Sequence, residues 1–291
     1  MKFFGFGSSL ALAIAFTGSV SAQQIEHVAI TDSIHMLTGD GGNIGVLIGD
    51  DGTFMIDDKF APLTEEIVNQ VKALGGETPR FIINTHFHGD HTGGNENLGE
   101  LGSIIVSHAN VRTRLVDGSE IKAFNMVTPP QPDVALPIIT FTSNITFHLN
   151  GEKISVIHVP NAHTDGDSIV HFGTSNVIHT GDVVFNGFYP FIDTDHGGTV
   201  KGTIAAVAKI LELADGSTKI IPGHGPLADQ EALIAYRNML IIAEERLSKI
   251  KSNGKSVDEV VADNPLTDLD HKWGNGIFKS DQWIRIIFDG V

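Results

Sequence analysis

Between Phe81 and Gly94 the chain reads F-I-I-N-T-H-F-H-G-D-H-T-G-G, and few folds can accommodate such a stretch. Phe81 to Asn84 is a short apolar run with the length of a buried strand. Four potential metal ligands follow it: His86, His88, Asp90 and His91. Thr92-Gly93-Gly94-Asn95 then offers a helix start. The ligands therefore fall on a loop leaving the end of a strand. On such a turn His86 and His88 can bend toward one point, while Asp90 and His91 aim at a second point beside it. Imidazole and carboxylate together suit zinc and its neighbours. Completing such a site needs further ligands from elsewhere in the chain, so the fold has to bring distant segments to one strand end.

H-x-H-x-D-H after a buried strand resembles the metallo-β-lactamase superfamily, and three later motifs extend the resemblance. Pro160-Asn161-Ala162-His163-Thr164 resembles the segment carrying the third histidine of the first metal. Thr180-Gly181-Asp182 resembles the bridging aspartate, and Pro222-Gly223-His224-Gly225 the last histidine of the second metal. The similarity runs from about Ile34 to about Ile250. It implies an α/β fold, a four-layer αββα sandwich of two face-to-face sheets with helices outside, which periodicity alone would not show. It also implies that His86, His88 and His163 hold one ion, Asp90, His91 and His224 hold a second, and Asp182 bridges them.

Composition narrows the partners. The chain has 291 residues, 41% of them hydrophobic, enough for one sizeable core. Its formal net charge is -16, from 19 basic against 35 acidic residues, which argues against nucleic-acid or anionic-membrane partners and for a small-molecule substrate. With no cysteine there are no disulfides and no thiolate ligands, whereas fourteen histidines favour a metal site. Met1 to Ala22 reads as a leader, with Lys2 at its start, an apolar centre over Leu10 to Phe16 and Val20-Ser21-Ala22 as a small-residue cleavage site. The expectation is a periplasmic or secreted protein whose mature form, residues 23–291, is a single domain with no membrane segment. Oligomeric state is not legible.

Along the mature chain, Ile34 to Leu37 is expected to begin the fold. A turn at Gly41-Gly42-Asn43, a strand at Ile44 to Ile48, the hairpin turn Gly49-Asp50-Asp51-Gly52 and a strand at Thr53 to Ile56 follow. Asp57-Asp58 looks like a catalytic carboxylate pair, but the resemblance implies that an aspartate here ties down the metal loop. Pro62 to Leu74 has apolar residues at helical spacing. In the second half, strands are expected at Ile145 to Leu149, Ile154 to Val159, Ser168 to Phe172 and Val177 to Thr180, and helices at Thr199 to Ala214 and Leu227 to Ile250. His108, His148, His158, His171 and His179 read as structural residues. Residues 252–291 are less informative, with a short helix expected at Ser256 to Ala262 and Trp273, Trp283 and Phe288 packing a C-terminal segment onto the domain.

The ligand set implied by the resemblance is that of a catalytic site, with an open position beside three histidines. Two zinc ions are expected, ahead of iron or manganese; two such ions can share a hydroxide and bring its pKa near neutrality. Asp90 is then placed to orient that hydroxide and carry its proton, besides binding metal. The expected reaction is attack on the carbonyl of a small ester, thioester, lactone or lactam. Asp182 in a G-D context resembles glyoxalase II, and the slot where many β-lactamases hold substrate carboxylate with a lysine is Phe185 here. Weak β-lactam hydrolysis is therefore expected, the alternatives being a dedicated metallo-β-lactamase or an iron-dependent redox enzyme of the same fold. Asn186 and Tyr189, in the aromatic loop after Asp182, are candidate donors to a developing oxyanion.

Overall fold

The structure is a computed structural model that describes residues 25–291. The leader expected at Met1 to Ala22 lies outside the described residues. In chain order the first half contains β1 (Glu26–Ala29), β2 (Ile34–Thr38), β3 (Ile44–Leu47), β4 (Phe54–Ile56), α1 (Thr64–Ala73), β5 (Phe81–Asn84), α2 (Gly89–Thr92), α3 (Asn95–Glu100), β6 (Ile104–His108), α4 (Ala109–Asp117), β7 (Ser119–Ile121), β8 (Met126–Thr128) and β9 (Ile139–Phe141). The second half contains β10 (Asn144–Leu149), β11 (Glu152–His158), β12 (Ser168–Phe172), β13 (Val177–His179), α5 (Val200–Leu213), β14 (Lys219–Ile221), α6 (Gln230–Ser252), α7 (Val257–Asp263), α8 (Asp270–Trp273) and α9 (Ser280–Ile287).

Side-chain alternation along the strands sorts these elements into layers. A seven-stranded sheet runs β1-β2-β3-β4-β5-β6-β9, and a five-stranded sheet runs β10-β11-β12-β13-β14. Phe54, Ile56, Ile83 and Val106 of the first meet Ile154, Val156, Val170 and Phe172 of the second in the middle of the molecule. Neighbours of opposite parity, Met55, Ile82 and Ile105, point away and pack under Ile67 and Val71 of α1. On the far face of the second sheet, Ile169, Ile178 and Ile220 pack against Val207 and Ile210 of α5 and Tyr236 and Leu240 of α6. This is the expected four-layer sandwich.

Some boundaries differ from the sequence reading. β1 precedes the expected first strand; all four of its residues are exposed, so it carried no apolar signal. α6 begins at Gln230 rather than Leu227, because the Asp229 side chain accepts from the Ala232 N–H and caps it there. The β7–β8 hairpin and β9 were not foreseen; each strand has three residues, too short for a period-2 pattern to stand out. Among the described residues no helix is long and apolar enough to cross a membrane.

The parallel pairings place the functional loops. β4 pairs parallel with β5, and β13 parallel with β14. Asp57, Thr85 to His91, Asp182 and His224 all follow the carboxyl ends of these four strands, along one edge of the sandwich. Asn43 ties the two sheets together there. Its amide donates to the carbonyls of Pro222 (3.0 Å) and Gly225 (2.8 Å), and its N–H donates to Gly223 (2.7 Å).

The C-terminal segment packs into the α5–α6 core through Trp273, Phe278, Trp283, Ile284 and Ile287. Trp283 is fully buried, stacks on Tyr189 at 4.5 Å and donates through its indole N–H to the Pro190 carbonyl at 2.7 Å. Trp283→Ala should lower the unfolding free energy by about 3–5 kcal/mol in urea titrations. An unchanged midpoint would mean that the segment is not part of the cooperative core.

Candidate metal centre

Seven side chains converge at this edge. His86, His88, His163 and Asp182 form one group and Asp90, His91 and His224 another, with the ligand atoms of each lying within 4.8 Å of one another. Asp182 lies between them. Its Oδ2 is 3.6 Å from His163 Nε2, 3.8 Å from His86 Nε2 and 3.4 Å from His224 Nε2, while Oδ1 is 3.0 Å from His91 Nε2. Asp90 Oδ2 is 3.2 Å from His224 Nε2 and 3.5 Å from His91 Nε2.

The outward nitrogen of each of four imidazoles is occupied, which fixes the ring and turns the other nitrogen inward. His91 Nδ1 donates to Asp57 Oδ2 at 2.7 Å, and His163 Nδ1 donates to the Phe191 carbonyl at 2.8 Å. His86 Nδ1 meets Thr85 Oγ1 at 3.1 Å; since that hydroxyl donates to Asp57 Oδ2 at 2.8 Å, the ring is the donor. His88 Nε2 donates to Asp193 Oδ2 at 2.9 Å. Asp57 therefore does tie down the metal loop, and Asp58 helps by accepting from the Gly94 N–H at 2.8 Å.

Lone pairs are left facing one another. His163 Nε2 and His88 Nδ1 lie 2.9 Å apart, and two lone pairs at that distance repel unless a positive charge lies between them. His86 Nε2 is fully buried with no hydrogen-bond partner, as is Asp182 Oδ1 despite its closeness to His91. Unpartnered buried acceptors are costly in a folded chain, so this donor set fits cations. The backbone yields space for it. A Cβ on Gly42 would lie 2.0 Å from the His91 ring, and one on Gly223 would lie 2.1 Å from Asp182 Oδ1.

Electrostatics agree. Burial drives the pKa of His163 down to about 4 and that of His86 well below the ordinary histidine value, so both are neutral ligands at neutral pH. Burial also opposes charge on His91 and His224, but Asp182 and Asp90 outweigh it, raising His91 well above its usual range and His224 to about 9. The carboxylates thus demand positive charge in this pocket. Burial opposes ionisation of Asp90 too, yet His91 and His224 hold its pKa down to about 2. Asp90 and His224 are the two ligands open to solvent, at 22% and 20% side-chain exposure.

They face a recess of about 190 Å³ walled by Phe60, Phe124, Met126, Phe185 and Phe191. Phe185 stacks on the His224 ring at 4.9 Å, so an aromatic face occupies the slot where a carboxylate-binding lysine was sought. Lys201 points away and pairs with Glu244 at 3.2 Å. A nearer cation, Lys59, went unnoticed in the sequence. It is buried, its ammonium donates to the Gly42 and Gly39 carbonyls, and burial lowers its pKa to about 8.

Two expectations need correcting. Tyr189 is fully buried beneath Trp283 rather than lining the recess. Asn186 turns its amide onto the Pro226 carbonyl at 3.0 Å, bracing the His224 loop, and is not free to bind an oxyanion. Asp193 was not recognised as the partner of His88; the two are 105 positions apart and no local pattern links them. His108 is structural, as expected: its Nδ1 accepts from the Asn110 N–H and its ring stacks on His158 at 3.8 Å.

Comparison with known proteins places this geometry in a family. Residues 37–224 match the family model of the metallo-beta-lactamase superfamily, and the chain belongs to that superfamily. Within that superfamily, its His/Asp cluster is the part of the chain suited to hold metal. It is similar to Metallo-beta-lactamase type 2 of Bacillus cereus, 22% identical over 228 residues, 77% of this chain and 84% of that protein. It is also similar to Acyl-coenzyme A thioesterase MBLAC2 of Gallus gallus, 24% identical over 175 residues. That match takes in 54% of this chain and 61% of the thioesterase's length. Among solved structures, a metallo-beta-lactamase from Pontibacter korlensis aligns with a TM-score of 0.61 at 20% identity, covering 75% of this chain and 99% of that one. One from Cronobacter sakazakii aligns with a TM-score of 0.65 at 17% identity, covering 79% and 97%. These likenesses establish the fold.

Replacing Asp57 by Ala removes the acceptor that holds both Thr85 and His91. Metal affinity measured by competition with a chromogenic chelator should fall about 10- to 100-fold. Undiminished affinity would show that the rings are held without it.

Proposed function

We propose that the protein is a dinuclear zinc hydrolase of a small carbonyl substrate (an ester, thioester, lactone or lactam) acting in the periplasm or outside the cell. The observation that carries this reading is the inward-facing set of seven ligands, four of which (His88, Asp90, Asp182 and His224) line an apolar recess. His86, His88 and His163 would hold one ion and Asp90, His91 and His224 the other, with Asp182 shared. Bound there, the ions supply Lewis-acid polarisation of a carbonyl oxygen and a water activated at neutral pH.

The chain's own residues do the rest. Asp90 stays ionised and partly exposed, so its carboxylate can accept a hydrogen bond from a water in the recess, orient it and pass its proton onward without keeping it. His224, beside it, is steadied by Phe185. Phe60, Phe124 and Phe191 wall the recess with apolar surface beside the reacting group. Support for a carbonyl substrate comes also from the relatives, one a thioesterase and one a β-lactamase by name. The leader-like Met1 to Ala22 supports export.

β-Lactams should be poor substrates. Phe185 offers no charge to their carboxylate, Lys59 is tied to backbone carbonyls, and Lys201 is turned away. A missing charged contact costs about 1.5–3 kcal/mol, roughly one to two powers of ten in kcat/KM. Elemental analysis of the purified protein should give two zinc equivalents per chain, and kinetics should favour lactones, esters or thioesters over penicillins, cephalosporins and carbapenems. Stoichiometric iron without zinc would replace the hydrolase reading with a redox one. A β-lactam turned over fastest, near the diffusional ceiling, would mark a dedicated β-lactamase.

A further inference from the structure

A second and larger space adjoins the metal recess. It is a basin of about 680 Å³ that shares Ile121, Phe124, Phe191 and Ile277 with the recess wall. Ligand sites for drug-sized molecules run to roughly 300–1,000 Å³, so the recess alone holds little beyond the reacting group, whereas recess and basin together hold a whole substrate. An unbroken run of aromatic rings connects them. Phe191 lies 5.8 Å from the His88 ring and 5.7 Å from His163, Phe124 meets Phe191 at 4.9 Å, and Phe278 follows Phe124 at 6.0 Å.

The walls come largely from two parts of the chain that supply no metal ligand. Ile121 and Phe124 belong to the β7–β8 hairpin region, while Ile277, Phe278 and Ile286 belong to the C-terminal segment, beyond the residues matched by the family model. Phe124 and Ile277 are exposed, at 40% and 55%, and face the same opening. Exposed apolar side chains gathered at one rim mark a binding surface rather than ordinary scatter.

Charge at the basin is net acidic, with Asp193, Asp195 and Asp289 beside Lys122 and Arg285. Lys122 pairs with Asp195 at 3.1 Å, and Arg285 pairs with Asp258 at 2.7 Å. Asp193 is engaged by His88 and His196. The cations lining the basin already have carboxylate partners and are more than half exposed, so an anionic group entering this net acidic basin gains little from them.

We propose that the β7–β8 hairpin and the C-terminal segment form a groove for an uncharged apolar arm of the substrate, laid along Phe191, Phe124 and Phe278 with its carbonyl at the metal ligands. The inference rests on the hydrolase reading and narrows its substrate to neutral carbonyl compounds with a medium-length alkyl or aromatic arm. Ile277 and Phe124 set the preference for arm length.

The test reads binding separately from turnover. N-phenyl-1-naphthylamine, a neutral fluorescent probe, is bound to the zinc-loaded mature protein and displaced by n-alkanols. Affinity should rise about twofold per methylene from butanol to octanol, roughly half the effect expected for full burial in an open groove. Octanoate should bind at least about tenfold more weakly than octanol, because its carboxylate enters an apolar groove beside Asp193, Asp195 and Asp289. Ile277→Asp, at an exposed position that should not disturb folding, should weaken octanol about tenfold or more. Leu101→Asp, on an exposed residue remote from the groove, should leave it unchanged. A flat chain-length series, equal effects of the two variants, or octanoate matching octanol would overturn the proposal. If the displacement series appears but no carbonyl compound is hydrolysed, the groove stands and the hydrolase reading falls; hydrolysis with a flat series removes the groove alone.

Discussion

A buried carboxylate at the end of β4 organises the site. Asp57 accepts from the Thr85 N–H at 2.7 Å, the Thr85 hydroxyl at 2.8 Å and His91 Nδ1 at 2.7 Å. A desolvated carboxylate is tolerable only with such donors, and these three belong to the metal loop. Thr85 relays the orientation to His86, so one carboxylate aligns a ligand of each group. Asp57 and Lys59 both adopt left-handed backbone, at φ 60° and 57°, a conformation a lysine enters at a cost. The fold holds it there because the Lys59 ammonium closes the Gly39–Gly42 turn, which packs on Asp90 and His91.

The two sheets meet at this edge through few but directional contacts. Asn43 fastens the turn after β2 to the Pro222–Gly225 loop after β14, and His179 Nε2 donates to the Asn43 carbonyl at 3.1 Å. The ligands of the first half and Asp182 and His224 of the second are thereby held in register. Glycines at 42 and 223 let the backbones approach closely enough for the rings and the shared carboxylate to converge.

How much of this was legible depended on how local each signal is. The ligands lie in compact motifs, H-F-H-G-D-H, N-A-H, G-D and G-H-G, whose resemblance in this order to the superfamily disclosed them. The partners that aim the rings are not local. Asp193 reaches His88 from a distant loop, and His163 is held by a backbone carbonyl, for which any residue could stand at Phe191. Tyr189 and Asn186 were misjudged because a loop's sequence does not say which way its side chains turn; Trp283 and the Pro226 carbonyl decide that here. The apolar and helical patterns located the central strands and helices and the resemblance arranged them in layers, while β1 and β8, short and largely exposed, left no periodic trace.

The proposed function requires two cations at this edge with Asp182 between them. Anomalous diffraction at the zinc edge, from crystals of the zinc-loaded protein, tests it most directly. Two peaks per chain are expected, one among His86, His88 and His163, the other among Asp90, His91 and His224, with Asp182 reaching both. A single peak at full zinc loading, or zinc bound away from these side chains, would contradict it.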